Sequence, residues 1–224
     1  EQYASGGALL REARERAAEN RDEAEVLLGL GDGTPEGTLP VRDAAPTASA
    51  VTELTTLGSL LLYSGLGPDG VELWRTDGTE DGTVQVADIA PGAASSQPDR
   101  LTRVGNRVFF SADDGLSGRE LWASDGAGAW RVKDIVPGSG SGIALTVDDQ
   151  AFRFDRWAAA GGRLFFPADD GTAGEELWVS DGTEAGTFRL LDVFAGPRSS
   201  EIHWLTGVGN RVHFVADDGI HGRA

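Results

Sequence analysis

The 224-residue chain contains no cysteine and no methionine. Without cysteine it can form no disulfide, no zinc–thiolate centre and no thiol nucleophile, and its compartment stays open because such a chain tolerates any redox state. Long apolar runs are also missing, so no segment suits a helical bilayer crossing. Basic residues are scarce: 19 Lys and Arg stand against 36 Asp and Glu, a formal charge of −17. Such a surface repels phosphate backbones and anionic lipid, which argues against nucleic-acid partners and membrane insertion. Cations, basic proteins and neutral sugars are the partners it leaves open. The chain opens on Glu1-Gln2, which reads as a processed or excised piece of a larger parent chain.

Glycine, by contrast, is abundant at 32 residues, mostly in turn-like dipeptides. That distribution suits an all-β protein of many short strands. The tripeptide Glu-Leu-Trp occurs at Glu72–Trp74, Glu120–Trp122 and Glu176–Trp178, with an Asp-Gly shortly after each. The tryptophans are 48 and 56 residues apart, so the chain is read first as a repeat. The clearest unit runs from Leu101 to Gly138. Leu101–Val104 is a short strand, Gly105-Asn106 a hairpin turn and Arg107–Ala112 a β-branched and aromatic strand. Arg119–Ser124 and Trp130–Ile135 complete a four-stranded antiparallel meander, with Asp125-Gly126 turning between them. Leu54–Gly92 and Trp157–Pro197 repeat this plan, the latter after an insertion near Ile143–Phe152.

Two half-units complete the pattern. Residues 205–224 carry the first two strands, and residues 26–46 carry the last two, with Asp32 and Asp43 matching Asp77 and Asp88. The spacing predicts a β-propeller over 26–224: four blades of four antiparallel strands, the last closed by the N- and C-terminal halves. Closure would pair strand edges that are otherwise open. The alternative is a piece of a longer array. Residues 1–25 form a separate tether: Gly7–Glu25 is rich in Ala, Glu, Arg and Leu and reads as an α-helix with Ser5 as its N-cap. Its thin apolar face (Leu9, Leu10, Ala13, Ala17) fits a helix resting on the propeller rim, with partner docking as the sharper alternative.

The motif Glu-Leu-Trp-x-x-Asp-Gly-Thr, as in Glu72–Thr79, resembles the bacterial ELWxxDGT repeat family over about Val26–Ala224. The first half-unit departs from it, with Gly29 in place of Trp, and the second unit has Ala-Gly-Ala-Trp after its Asp-Gly. The resemblance implies a secreted or cell-surface bacterial repeat protein without a defined activity.

Candidate sites follow from the repeated residues. On an alternating strand Glu120 and Trp122 share one face. Trp74, Trp122 and Trp178 read as packing between blades, the indole N–H bonded to a nearby carbonyl, with Glu72, Glu120 and Glu176 contacting a neighbouring backbone or lying at the rim. The functional alternative is a ring of sugar sites, aromatic faces stacking on pyranoses and carboxylates accepting hydroxyl hydrogens. Ala-Asp-Asp-Gly recurs with Asp113/Asp114, Asp169/Asp170 and Asp217/Asp218. These pairs raise calcium as a cofactor, although adjacent strand residues point oppositely and a D-x-D-x-D-G loop is absent. Turn capping is the alternative, and it is the reading for the Asp-Gly-Thr turns at Asp32, Asp77 and Asp181. Gly65–Gly70 formally matches G-x-G-x-x-G but opens no helix, which removes the dinucleotide reading. His203, His213 and His221 fall in the last half-unit; His213 takes the strand position of Phe109 and reads as packing.

These readings favour a non-enzymatic, extracytoplasmic binding module that presents propeller loops to a glycan or protein partner. A polysaccharide hydrolase or lyase is the second hypothesis, requiring unrepeated polar residues on one face. Asp148, Asp149, Arg153 and Asp155 in the insertion are its candidate patch. A purely structural repeat of a large surface protein is the third.

Overall fold

The computed structural model describes residues 27–30, 39–43, 51–144 and 156–221. These are all-β, with no helix among them. The predicted helix at Gly7–Glu25, Asp32, and the patch Asp148, Asp149, Arg153 and Asp155 lie outside the described residues.

In chain order, β1 (Leu27–Leu30) and β2 (Leu39–Asp43) form a two-stranded sheet. β3 (Val51–Leu57), β4 (Leu60–Gly67), β5 (Gly70–Thr76) and β6 (Val84–Ala87) form the first four-stranded meander. β7 (Asp99–Val104), β8 (Arg107–Asp113), β9 (Arg119–Ser124) and β10 (Ala129–Lys133) form the second. β11 (Ala158–Ala160), β12 (Arg163–Asp169), β13 (Glu175–Ser180) and β14 (Phe188–Leu191) form the third. β15 (His203–Val208) and β16 (Arg211–Val215) form a final two-stranded sheet. All pairings are antiparallel, as predicted for each unit. β7 begins two residues earlier than the sequence suggests, because a bulge lets Asp99 pair with Ser111 before the regular ladder resumes at Thr102–Phe109.

The second strand of each unit reads as a nearly unbroken apolar run because both of its faces are buried. Val108, Phe110 and Ala112 pack with Leu57, Leu62, Leu73 and Ile89 of the first meander. Phe109, Leu121 and Ala123 point the other way and pack with Leu164, Phe166 and Trp178 of the third. Leu177 and Ala158 then pack with Ile202 and Leu205 ahead of and within β15. Each large side chain so enclosed contributes about 1.5–3 kcal/mol. Trp122 faces the meander before it and Trp178 likewise, so the Glu-Leu-Trp strand sends Trp backward and Leu forward in the series. The first strands meet along one line: β3 lies against β7, β7 against β11, and β11 against β15.

The two short sheets keep the registers of the parts they resemble. β1–β2 carries a bulge at Leu28/Gly29, where β5–β6 carries one at Leu73/Trp74 and β13–β14 one at Leu177/Trp178. β15–β16 carries a bulge between His203 and Thr206, matching Asp99/Thr102 in β7–β8. Among the described residues no hydrogen-bonded ladder joins the two sheets. β1 also lacks the motif that fastens the other units: Leu27-Leu28-Gly29 stands where they have Glu-Leu-Trp. His213 sits opposite Thr206 as Phe109 sits opposite Thr102. It is exposed rather than packed, because no further sheet covers that face among the described residues.

Candidate functional site

The Glu of each Glu-Leu-Trp is fully buried, and its carboxylate is filled by backbone. Glu72 accepts hydrogen bonds from the amides of Ile89 (3.0 Å), Ala90 (3.4 Å) and Ser96 (3.0 Å) and from the Ser96 hydroxyl (2.6 Å). Glu120 accepts from Ile135 (2.8 Å), Val136 (3.3 Å) and Gly142 (3.0 Å). Glu176 accepts from Val193 (2.7 Å) and Phe194 (3.4 Å), with the Ser200 hydroxyl beside it. Each carboxylate thus ties the loop after the fourth strand back to the third. The pinned loop then reaches the next sheet. The carbonyls of Ser96, Gly142 and Ser200 accept the amides of Asp113 (3.0 Å), Asp169 (2.9 Å) and Asp217 (2.8 Å). Trp74 and Trp178 are buried and Trp122 is half-buried, so these rings pack between sheets. The expected carbonyl partner is missing for two of them: Nε1 of Trp122 and of Trp178 is buried with no hydrogen-bond acceptor among the described residues.

The Asp-Asp pairs cap turns. Asp113, Asp169 and Asp217 each accept the amide two residues on, from Gly115, Gly171 and Gly219, all at 2.8 Å. Asp114 accepts from Leu116 and Ser117, Asp170 from Thr172, and Asp218 from Ile220 and His221. The remaining oxygens of Asp114 and Asp170 face Arg131 (3.5 Å) and Arg189 (3.3 Å). Among the described residues no three acidic or histidine side chains gather where a metal ion could sit. Asp77 and Asp181 bind the amide and hydroxyl of Thr79 and Thr183, closing the Asp-Gly-Thr turns.

These two sets of carboxylates titrate in opposite directions. Burial pushes Glu72, Glu120 and Glu176 up against the pull of the loop amides, Glu120 to about 7. Glu120 lacks the serine hydroxyl that Glu72 and Glu176 enjoy, because Gly142 stands where they have Ser96 and Ser200. The turn carboxylates move down: threonine hydroxyls and amides lower Asp77 and Asp181, and amides lower Asp125. A folded state with raised Glu groups binds extra protons between pH 4.5 and about 7, so their contribution falls as pH rises through that window. The lowered Asp groups contribute stability above their ordinary value of 3.8, and it is lost as pH falls below it. The unfolding midpoint is therefore expected to be highest at about pH 4–5 and lower on either side. Thermal unfolding followed by circular dichroism across pH 3–8 checks this, and a midpoint rising steadily to pH 7 would contradict it.

One position breaks the repetition. The ladders resume after a bulge at Thr55, Thr102 and Thr206, and β11 begins at Ala158, each facing its partner strand at the equivalent point. Two residues earlier stand Glu53, Arg100, Arg156 and Trp204. The same scaffold thus presents an acid, two guanidiniums and an indole at one structural position. Glu53, Arg100 and Trp204 hold positive φ angles of 57°, 61° and 58°. Non-glycine residues there cost about 1–3 kcal/mol each, and such strain clusters at functional sites. Bulges also re-aim side chains and gather beside such sites.

The four residues lie at the start of strands that meet one another, and charged neighbours join them. Arg156 pairs with Glu175 and donates from Nε to the Ile202 carbonyl at 3.1 Å, two residues before Trp204. Arg100 pairs with Asp99 at 3.6 Å. Burial and then the Arg156 guanidinium lower Arg100, while Asp99, Glu175 and Glu53 act in the opposite sense. Beneath them Arg119, 5% exposed, donates to the carbonyls of Ser96 (3.3 Å), Gln97 (2.8 Å) and Ser111 (3.2 Å). It therefore positions the loop leading into β7. Arg100, Arg156, Glu53 and Glu175 are partly exposed, and Trp204 is 52% exposed. The sequence reading singled out none of these. The signal is the column two residues before the recurring Thr, which becomes visible only once the bulge fixes the alignment.

No family model matches the chain. Over 37 residues, 16% of its length, it is 65% identical to a glucokinase of Streptomyces coelicolor and equally to one of Streptomyces lividans. The matched stretch spans 12% of each of those relatives. The crystal structure of a computationally designed protein is similar with a TM-score of 0.43 at 20% identity, over 86% of this chain and 52% of that one.

Proposed function

We propose that the chain is a non-enzymatic binding module of the β-propeller type whose ligand sits along the line on which β3, β7, β11 and β15 meet. In this reading β1–β2 completes the sheet begun by β15–β16, which the matching bulges support. The Glu-Leu-Trp repeat supports membership of the bacterial family it resembles, and with it a secreted or surface location. One observation carries the functional part: four equivalent positions on a repeated scaffold hold Glu53, Arg100, Arg156 and Trp204. A frame held constant with its chemistry varied at one point is how a repeat protein makes a single site from many units. The aromatic ring, paired guanidiniums and carboxylates suit a glycan. They offer a face, donors and acceptors together.

Binding to a panel of bacterial and plant polysaccharides tests this, with calcium and with chelator in parallel. The expected result is retention of at least one polysaccharide, unchanged by chelator and lost in Glu53→Ala/Arg100→Ala. Binding that survives the double variant would move the ligand elsewhere. Release of new chain ends from a bound polysaccharide would replace this reading with a hydrolase or lyase.

A further inference from the structure

We infer that the ligand of this site is an uncharged pyranoside that stacks on Trp204 and bonds the Arg156–Glu175 pair through neighbouring hydroxyls. This rests on the binding reading above and narrows it.

Trp204 keeps 52% of its surface exposed at a strained backbone position. Leu205, the next residue, is buried in the cluster with Ile202 and Leu177. The chain thus anchors one side chain and turns the adjacent indole outward. The open face of the ring is what a pyranose stacks on. Arg156 is anchored to the Ile202 carbonyl, on the same short segment, so the guanidinium and the indole share one support.

The ion pair decides the charge of the ligand. Arg156 and Glu175 are each about one-fifth exposed (21% and 20%), and they neutralise one another. A guanidinium has five N–H donors and a carboxylate about four acceptor sites, so their mutual contact and the Ile202 bond leave both with unused capacity. A pair in this state offers a donor beside an acceptor with no net charge. That is the complement of two adjacent sugar hydroxyls, each of which donates and accepts. An anion at the same place would meet Glu175, Glu53 and Asp99 beside Arg100 and Arg156, within a chain of net charge −17. The charge of the whole chain therefore disfavours uronates, sulfates and phosphates at long range.

The test is isothermal titration of the full chain with a neutral β-glucan, a neutral mannan, a polygalacturonate and a deacetylated chitosan. A neutral polysaccharide is expected to bind. Affinity should fall about tenfold or more in Trp204→Ala, fall less in Trp204→Phe, and change by less than about twofold between 0.1 and 0.5 M salt. Glu175→Gln should weaken binding without making it salt-sensitive. Circular dichroism of each variant separates a lost contact from lost folding. Binding of polygalacturonate or chitosan alone, or neutral binding unmoved by either Trp204 variant, overturns the neutral-sugar assignment and leaves the broader reading standing. Absence of binding to all four overturns both.

Discussion

Replacing Glu120 by alanine is expected to lower the free energy of unfolding by about 3 kcal/mol or more. The magnitude follows from what the carboxylate leaves behind. The amides of Ile135, Val136 and Gly142 all donate to it. Two of those residues, Ile135 and Gly142, are buried, so water cannot readily replace the lost acceptor. A buried donor left unpaired costs about 1–3 kcal/mol. Glutamine in place of Glu120 should cost less, because one amide oxygen still accepts, but its NH2 group faces an N–H. The variant has a second signature. Without Glu120 the fall in stability between pH 4.5 and about 7 should be shallower. Denaturant unfolding at pH 5 and pH 7 measures both effects. A Glu120→Ala protein as stable as its parent would mean that the loop amides find other partners.

Alanine at Gly118 should be comparably severe, by about 3 kcal/mol or more, whereas alanine at Gly115 should cost only about 1 kcal/mol. Both glycines have positive φ, 68° and 77°. They differ in surroundings. A Cβ on Gly118 would lie 2.3 Å from the carbonyl oxygen of Gly140, a backbone atom in the pinned loop. A Cβ on Gly115 meets nothing within 4 Å. Gly70 and Gly174 repeat the Gly118 arrangement, approaching Ala94 at 2.1 Å and Arg198 at 2.6 Å. The comparison within one loop isolates the close approach from the backbone angle. Equal losses in the two variants would show that conformation alone sets the cost.

The architecture of each unit was legible in the sequence because turn chemistry and strand patterning agree there. Gly105-Asn106 and Asp125-Gly126 are turns, and Arg119–Ser124 is a strand with the bounds read from sequence. The packing role of the Glu-Leu-Trp tryptophans was legible too, since an apolar residue flanked by buried strands on both sides has nowhere else to go. For Glu120 the sequence indicated a neighbouring backbone or the rim, and backbone it is, but not which amides. Its partners lie 15 to 22 residues ahead and are backbone amides, which carry no sequence signature. The bulge site was hidden for a related reason. Arg100 and Trp204 look like ordinary strand-flanking residues until the pairing of Thr102 with Phe109 and of Thr206 with His213 places them in one column. Sequence spacing alone cannot show a one-residue slip in a ladder.

The Glu72, Glu120 and Glu176 carboxylates each fasten a loop to their own sheet, and the same loop offers one carbonyl to the sheet that follows. Each of the three whole units therefore carries both halves of its own joint. A tandem duplication that copies one whole unit would insert a copy already able to grip its predecessor and be gripped by its successor, with no compensating change required on either side. Lineages could lengthen or shorten such an array in single steps while the unlike side chains at the bulges diverged separately. The recurring carboxylate would stay fixed as the part that makes the copies interchangeable.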